Sequence, residues 1–156
     1  MQFISESIID QQSTMIAIDE NRSAAIQSLK NTQPAILAYL FSESFELLTQ
    51  EEKEYTMFLV LVVWASIVNI HPEQGTIDPK AIEKAEDENW EKLKDIKAAT
   101  FREKLDVFFK NTTQEDLLAF VEDALVQDED EMVTKEGREY IFVALKTIID
   151  CLDKAA

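Results

Sequence analysis

Residues 57–70 read Met-Phe-Leu-Val-Leu-Val-Val-Trp-Ala-Ser-Ile-Val-Asn-Ile, and only Ser66 and Asn69 interrupt the apolar run. A bilayer-crossing helix needs about 20 apolar residues, so the run alone falls short and suits a helix covered by other elements. Such a helix is expected to be buried on most sides. Whatever else the chain forms must therefore supply apolar faces to surround it.

The remaining sequence offers such faces at helical spacing. Only two glycines (Gly75, Gly137) and three prolines (Pro34, Pro72, Pro79) occur in 156 residues. An all-β chain needs far more turn punctuation, so few long helices are expected. The fold class expected is all-α: one domain over residues 1–156, a compact bundle of about six to seven helices around a buried central helix at about 50–70.

Local signals place the helices. Ile4, Ile8, Met15, Ile18, Ala25 and Leu29 follow a seven-residue spacing, with Gln11 and Arg22 in two of its slots. Asp19-Glu20-Asn21 is a candidate break, leaving one helix or two. Thr32-Gln33-Pro34 reads as a helix start, since proline is tolerated in a first turn. That helix is expected to reach about Leu48 and to form an antiparallel hairpin with the next. Thr49-Gln50-Glu51-Glu52 is a capping box for the helix containing the apolar run, which His71-Pro72 ends. Asp78-Pro79 opens another helix. A break near Ala98–Thr100 separates it from Phe101, Leu105 and Phe108. Thr113-Gln114-Glu115-Asp116 resembles a capping box with Asp in place of Glu. Thr134 is expected to cap a last helix carrying Ile141, Leu145, Ile148, Ile149 and Leu152.

Charge is the second constraint. There are 31 acidic and 15 basic residues, a net charge of −16. This opposes binding to nucleic acid or to an anionic membrane, and favours basic partners or divalent cations. With no basic segment preceding an apolar one at the start, and with Cys151 as the only cysteine, the protein is expected to be cytoplasmic and without a disulfide framework. The acids cluster: residues 111–131 hold Glu115, Asp116, Glu122, Asp123, Asp128, Glu129, Asp130 and Glu131, and no Lys or Arg. Glu115 and Glu122, like Asp116 and Asp123, are seven apart and share a helix azimuth. Acids at the C-terminal end oppose the helix dipole, so local stability does not account for the run. These eight residues form the candidate binding surface for a basic protein partner.

Catalytic chemistry is thinly represented. A single histidine, His71, excludes His-rich metal centres, and at a helix C-terminus its ring is expected to interact with the dipole. Cys151 is expected to lie at the edge of the core. A calcium loop beginning at Asp128 fails, because Met132 and Val133 occupy positions that need a ligand and a glycine. Neither catalytic nor metal-binding residues are assigned, and no cofactor is expected. The leading expectation is a non-enzymatic interaction protein. The alternative is a magnesium-dependent all-α hydrolase acting on a phosphorylated small molecule or nucleotide. It would use pairs such as Glu43/Glu46 and Glu51/Glu54, which resemble the Glu-x-x-Glu pairs of all-α nucleotide pyrophosphohydrolases. A structural homo-oligomer is the third reading. Trp90, set among acids, is either a half-buried ring lying across its own helix or a partner anchor.

Overall fold

The computed structural model describes residues 1–98, 100–126 and 133–155. Among these, eight α-helices and one 3-10 turn occur, and no strand. The helices are α1 (Glu6–Ile16), α2 (Asp19–Thr32), α3 (Pro34–Leu40), α4 (Gln50–Ile70), α5 (Pro79–Lys94), α6 (Phe101–Phe109), α7 (Glu115–Val126) and α8 (Lys135–Ala155), with the 3-10 turn at Glu43–Phe45. The all-α bundle expected from the sequence is present.

Its centre is the pair α4 and α8, each 21 residues long. On α4, Leu59 through Trp64 are all buried; on α8, Ile141 through Ile149 are all buried. Helices α1 and α2 pack on α4, α5 and α7 pack on α8, and contacts between α1 and α7 close the bundle. One buried apolar cluster draws residues from every helix. The fourteen-residue run is thus part of a longer helix, whose length and mean hydropathy of 1.4 over its most apolar stretch would suffice to cross a membrane. Half of that stretch is buried inside this fold.

The two central helices share one cap. The Thr49 box forms as expected: the Thr49 hydroxyl accepts from Glu52 N at 3.1 Å, and Glu52 Oε1 accepts from Thr49 N at 2.9 Å. The other oxygen of the same carboxylate leaves its helix. Glu52 Oε2 accepts from the backbone N–H of Thr134 at 3.0 Å and from its hydroxyl at 3.1 Å. The Thr134 hydroxyl in turn accepts from Gly137 N at 3.0 Å. At the start of α8, then, Thr134 takes the role expected of it. The acid that normally stands three residues after the cap is supplied by another helix. Gly137 occupies that position instead, and a Cβ there would lie 1.8 Å from Glu52 Oε2. The buried carboxylate (1% exposed) faces the partial positive ends of two helices, which offsets its desolvation.

Several local expectations give way to tertiary packing. The N-terminal region forms two helices, divided at Ala17–Ile18, just before Asp19-Glu20-Asn21. The buried face of α1 is Ile9, Gln12 and Ile16, one position out of phase with the Ile8–Met15 register, and Met15 and Ile18 are exposed. The helix from Pro34 ends at Leu40 rather than near Leu48. There Ser42 turns extended, its hydroxyl donating to Tyr39 O at 2.6 Å, and the chain folds back so that Phe45 meets Tyr39 edge-on. The expected hairpin with α4 does not form, and α3 packs chiefly on α2 and α5. Phe41 and Leu47 on this segment are left 78% and 76% exposed. Thr113 does not cap α7: the helix begins at Glu115, and the Thr113 hydroxyl donates to Asp153 of α8 at 2.8 Å.

The shared cap yields a double-mutant test. Glu52→Ala should lower unfolding free energy by about 2–4 kcal/mol, because two helix starts lose their carboxylate. Gly137→Ala should cost about 1–3 kcal/mol by forcing that carboxylate out of place. In the Glu52→Ala background the same change should instead be neutral or stabilising by up to about 1 kcal/mol, the helix-propensity gain of Ala over Gly. Urea unfolding measures all three, and an equal cost of Gly137→Ala in both backgrounds would refute the steric account.

Candidate functional site

Helix α7 carries its apolar face, Leu117, Leu118, Val121 and Leu125, into the core, and this rotation fixes where its acids go. Glu115 is exposed, and its side chain bonds to no other described residue. Asp116 turns toward α1, where its Oδ2 accepts from Glu6 N at 2.8 Å. The Ser5 side chain at the start of α1 makes no capping bond, so Asp116 caps that helix from outside. Glu122 and Asp123 both meet Arg102 of α6, at 2.6 Å and 3.3 Å. Asp128, Glu129, Asp130 and Glu131 lie outside the described residues.

The four described acids therefore do not present one continuous stripe. Asp116 and Asp123 line a cleft of about 500 Å³ between α1 and α7, while Glu122 pairs with α6 and Glu115 faces solvent. Two further acids complete the cleft, Glu6 and Asp10 of α1. They lie one helical turn apart and share a face, a spacing visible in the sequence. What hid their role was the pairing of α1 with α7, since contacts so distant along the chain leave no local signal. The floor is apolar: Ile9, Ala119, Phe120, Ala124 and the ring of Tyr55, whose hydroxyl donates to Ala124 O at 2.8 Å and ties α4 to α7. Neither Lys nor Arg is among the described residues lining it.

Such a cleft suits a side chain that is apolar along its stem and cationic at its tip, as Lys and Arg are. Among the described residues, no group of three or more His, Cys, Asp or Glu side chains is disposed to hold a metal ion. The pairs considered for magnesium do not converge either, since Glu43, Glu46, Glu51 and Glu54 are all exposed.

Electrostatics separate the paired acids. Burial raises Glu122 above the ordinary carboxylate range; Arg102 pulls it down, and Asp123 and Asp106 push it up again. Desolvation wins over the ion pair. His71, at the end of α4, accepts from Gln2 N at 2.9 Å through Nε2. The ring thereby ties the N-terminal segment to the end of α4. Cys151 is buried, its thiol facing Ala81 O at 3.7 Å and pushed up to about 11 by burial and then by Asp150. It is an inert core thiol rather than a nucleophile.

Comparison with known protein families, with curated proteins and with solved structures returns no match to this chain.

The Glu122–Arg102 pair predicts a pH dependence. A carboxyl whose folded pKa is raised weakens folding while ionised, and the loss is relieved as pH falls through that pKa. Arg102 moderates the loss, so Arg102→Met should cost about 0.5–1 kcal/mol at neutral pH. The deficit should shrink as Glu122 takes up its proton above the ordinary carboxylate range. Urea unfolding of both proteins across that interval checks it, and a deficit that grows on acidification would be the wrong sign.

Proposed function

We propose that the protein is a non-enzymatic interaction module that docks a basic protein partner in the acidic cleft between α1 and α7. One observation carries the reading: Glu6 and Asp10 of α1, committed to no described cation, face across an apolar floor the carboxylates of Asp116, which also caps α1, and Asp123, which also meets Arg102. Lys or Arg side chains entering from a partner would lay their methylene stems on Tyr55 and Phe120 and bring their charge to the rim. The net charge of −16 supports the reading by drawing a basic partner in from a distance. Asp128–Glu131 follow α7 in sequence and belong to the same acidic region, and Glu115 adds to it from the exposed side of α7.

The experiment must separate a site from bulk charge. A Lys- and Arg-rich peptide is titrated into the protein while amide resonances of α1 and α7 are followed. The expectation is a saturable shift at these helices, weakened by added salt. Converting Glu6, Asp10, Asp116 and Asp123 together to their amides should weaken binding about tenfold or more. Converting Glu83, Asp87, Glu88 and Glu91, four exposed acids of α5, removes the same charge and should cost much less. Equal losses in the two variants would reduce the effect to net charge and overturn the docking cleft.

A further inference from the structure

A second cavity, sharing no residue with the acidic cleft, lies where α3 and the 3-10 turn meet α5 and α8. It measures about 320 Å³, and four of its walls are aromatic: Tyr39, Phe45, Trp90 and Tyr140. The rings come as two corners. Tyr39 and Phe45 stand 5.1 Å apart at 86°, and Trp90 and Tyr140 stand 5.1 Å apart at 68°. Perpendicular neighbours offer both faces and edges, so two corners around one space can surround a rounded group from several directions. The remaining charged wall is Glu86, one turn before Trp90 on α5. No Lys or Arg is among the described lining residues.

We infer that this cavity is a binding site for a methylated ammonium group, held by the four rings and by the carboxyl of Glu86. Ring faces carry negative electrostatic potential, and a cation within about 6 Å of a ring centroid is attracted to it. A quaternary ammonium is bulky and weakly hydrated, so it gives up little water on entering, and an aromatic wall serves it better than water does. The protein already sets its own cations against rings elsewhere, Arg138 on Phe101 at 6.0 Å and Lys146 on Phe108 at 5.9 Å. In this cavity no described cation plays that part. Glu86 supplies the countercharge at the wall, beside Tyr39, whose phenol burial and then Glu86 raise well above its ordinary range. The exposed acids of α5, Asp87, Glu88 and Glu91, alternate with Lys84, Lys92 and Lys94, so the countercharge at the cavity is Glu86 itself. Trp90, set among acids in the sequence, stands one turn after Glu86 in the wall of rings.

The group could belong to a small molecule or to a methylated lysine, and the experiment distinguishes them. Choline, a trimethyllysine peptide and the uncharged choline isostere 3,3-dimethylbutanol are each titrated into the full chain while the two tryptophan indole N–H resonances are followed. Trp90 should shift and saturate with a cationic probe. Trp64, buried between α2 and α4 with its Nε1 on Ser28 at 3.3 Å, should stay still. The isostere should bind about tenfold more weakly or worse. Glu86→Gln and Tyr140→Leu should each weaken the cation about 2- to 30-fold, with an unmoved Trp64 resonance reporting an intact fold. Tighter binding of choline or of the peptide supports the site and names its source. Equal affinity for cation and isostere would leave only an apolar hole and overturn the inference, as would an unresponsive Trp90 or variants that bind unchanged. None of these outcomes depends on the α1–α7 cleft.

Discussion

Two of the longest helices in this protein begin at one carboxylate, and the bundle is organised around that junction. Glu52 completes the capping box of α4 with one oxygen and receives the backbone and hydroxyl protons of Thr134 with the other. Helix starts expose N–H groups that cannot bond within their own turn, and burying them unmet costs more than most single contacts repay. Sharing one anion between two such ends settles both debts and fixes the axial register of α4 against α8. The apolar matching of Leu59–Trp64 and Ile141–Ile149 can then proceed from a defined origin. Gly137 belongs to the same device, since any side chain there would occupy the space of the carboxylate.

The same logic recurs at α1, where Asp116 of α7 bonds Glu6 N in place of a side-chain cap from Ser5. An acidic chain thus uses some of its excess charge where backbone dipoles welcome it, and Arg102 ties Glu122 and Asp123 to α6. What remains unneutralised is informative for that reason. Around the α1–α7 cleft, Glu6 and Asp10 have side chains committed to no described cation, and they overlook Ile9, Ala119, Phe120 and the ring of Tyr55. The case for a partner rests on this contrast between acids the fold uses and acids it leaves facing a cavity.

How much of this was legible depended on whether the cause was local. The Thr49–Glu52 box, the Asp78–Pro79 start, the Thr100 break and the burial of most of 57–70 each arise from a few adjacent residues, and each is found in the structure. The central place of α8 was not legible, because Lys146, Thr147 and Asp150 make it look amphipathic. In the fold Lys146 is buried along its stem, bonded to Asp150 and set over the ring of Phe108. Thr113 looked like a cap and instead bonds α8, and the phase of α1 was set by which side meets α4 and α7. The candidate site divided in the same way. The seven-residue spacing of the α7 acids is real, yet Arg102 and the α1 terminus, both remote in sequence, decide which of those acids stay available.

The aromatic cavity shows how a polar contact in the core can position a surface feature. Helix α5 packs on α8 through an interface that is mostly apolar, and such interfaces tolerate rotation and sliding unless something polar pins them. Asn89 does so. It is buried, and its amide donates to the Thr147 hydroxyl at 3.1 Å and to Asp150 Oδ2 at 3.3 Å. A helical step in either direction would strand those groups without partners, at a cost of about 1–3 kcal/mol for each. Because Asn89 points into α8, its neighbours Glu86 and Trp90, three residues before and one after, are carried to the flank of the interface, where Tyr140 and Val143 of α8 meet them. Tyr39 approaches from α3 and places its hydroxyl near both Glu86 and Thr147. The buried network and the walls of the cavity are therefore two sides of one arrangement. Residues that touch no ligand set the distance between the rings, and loosening Asn89 would open the cavity without altering any wall.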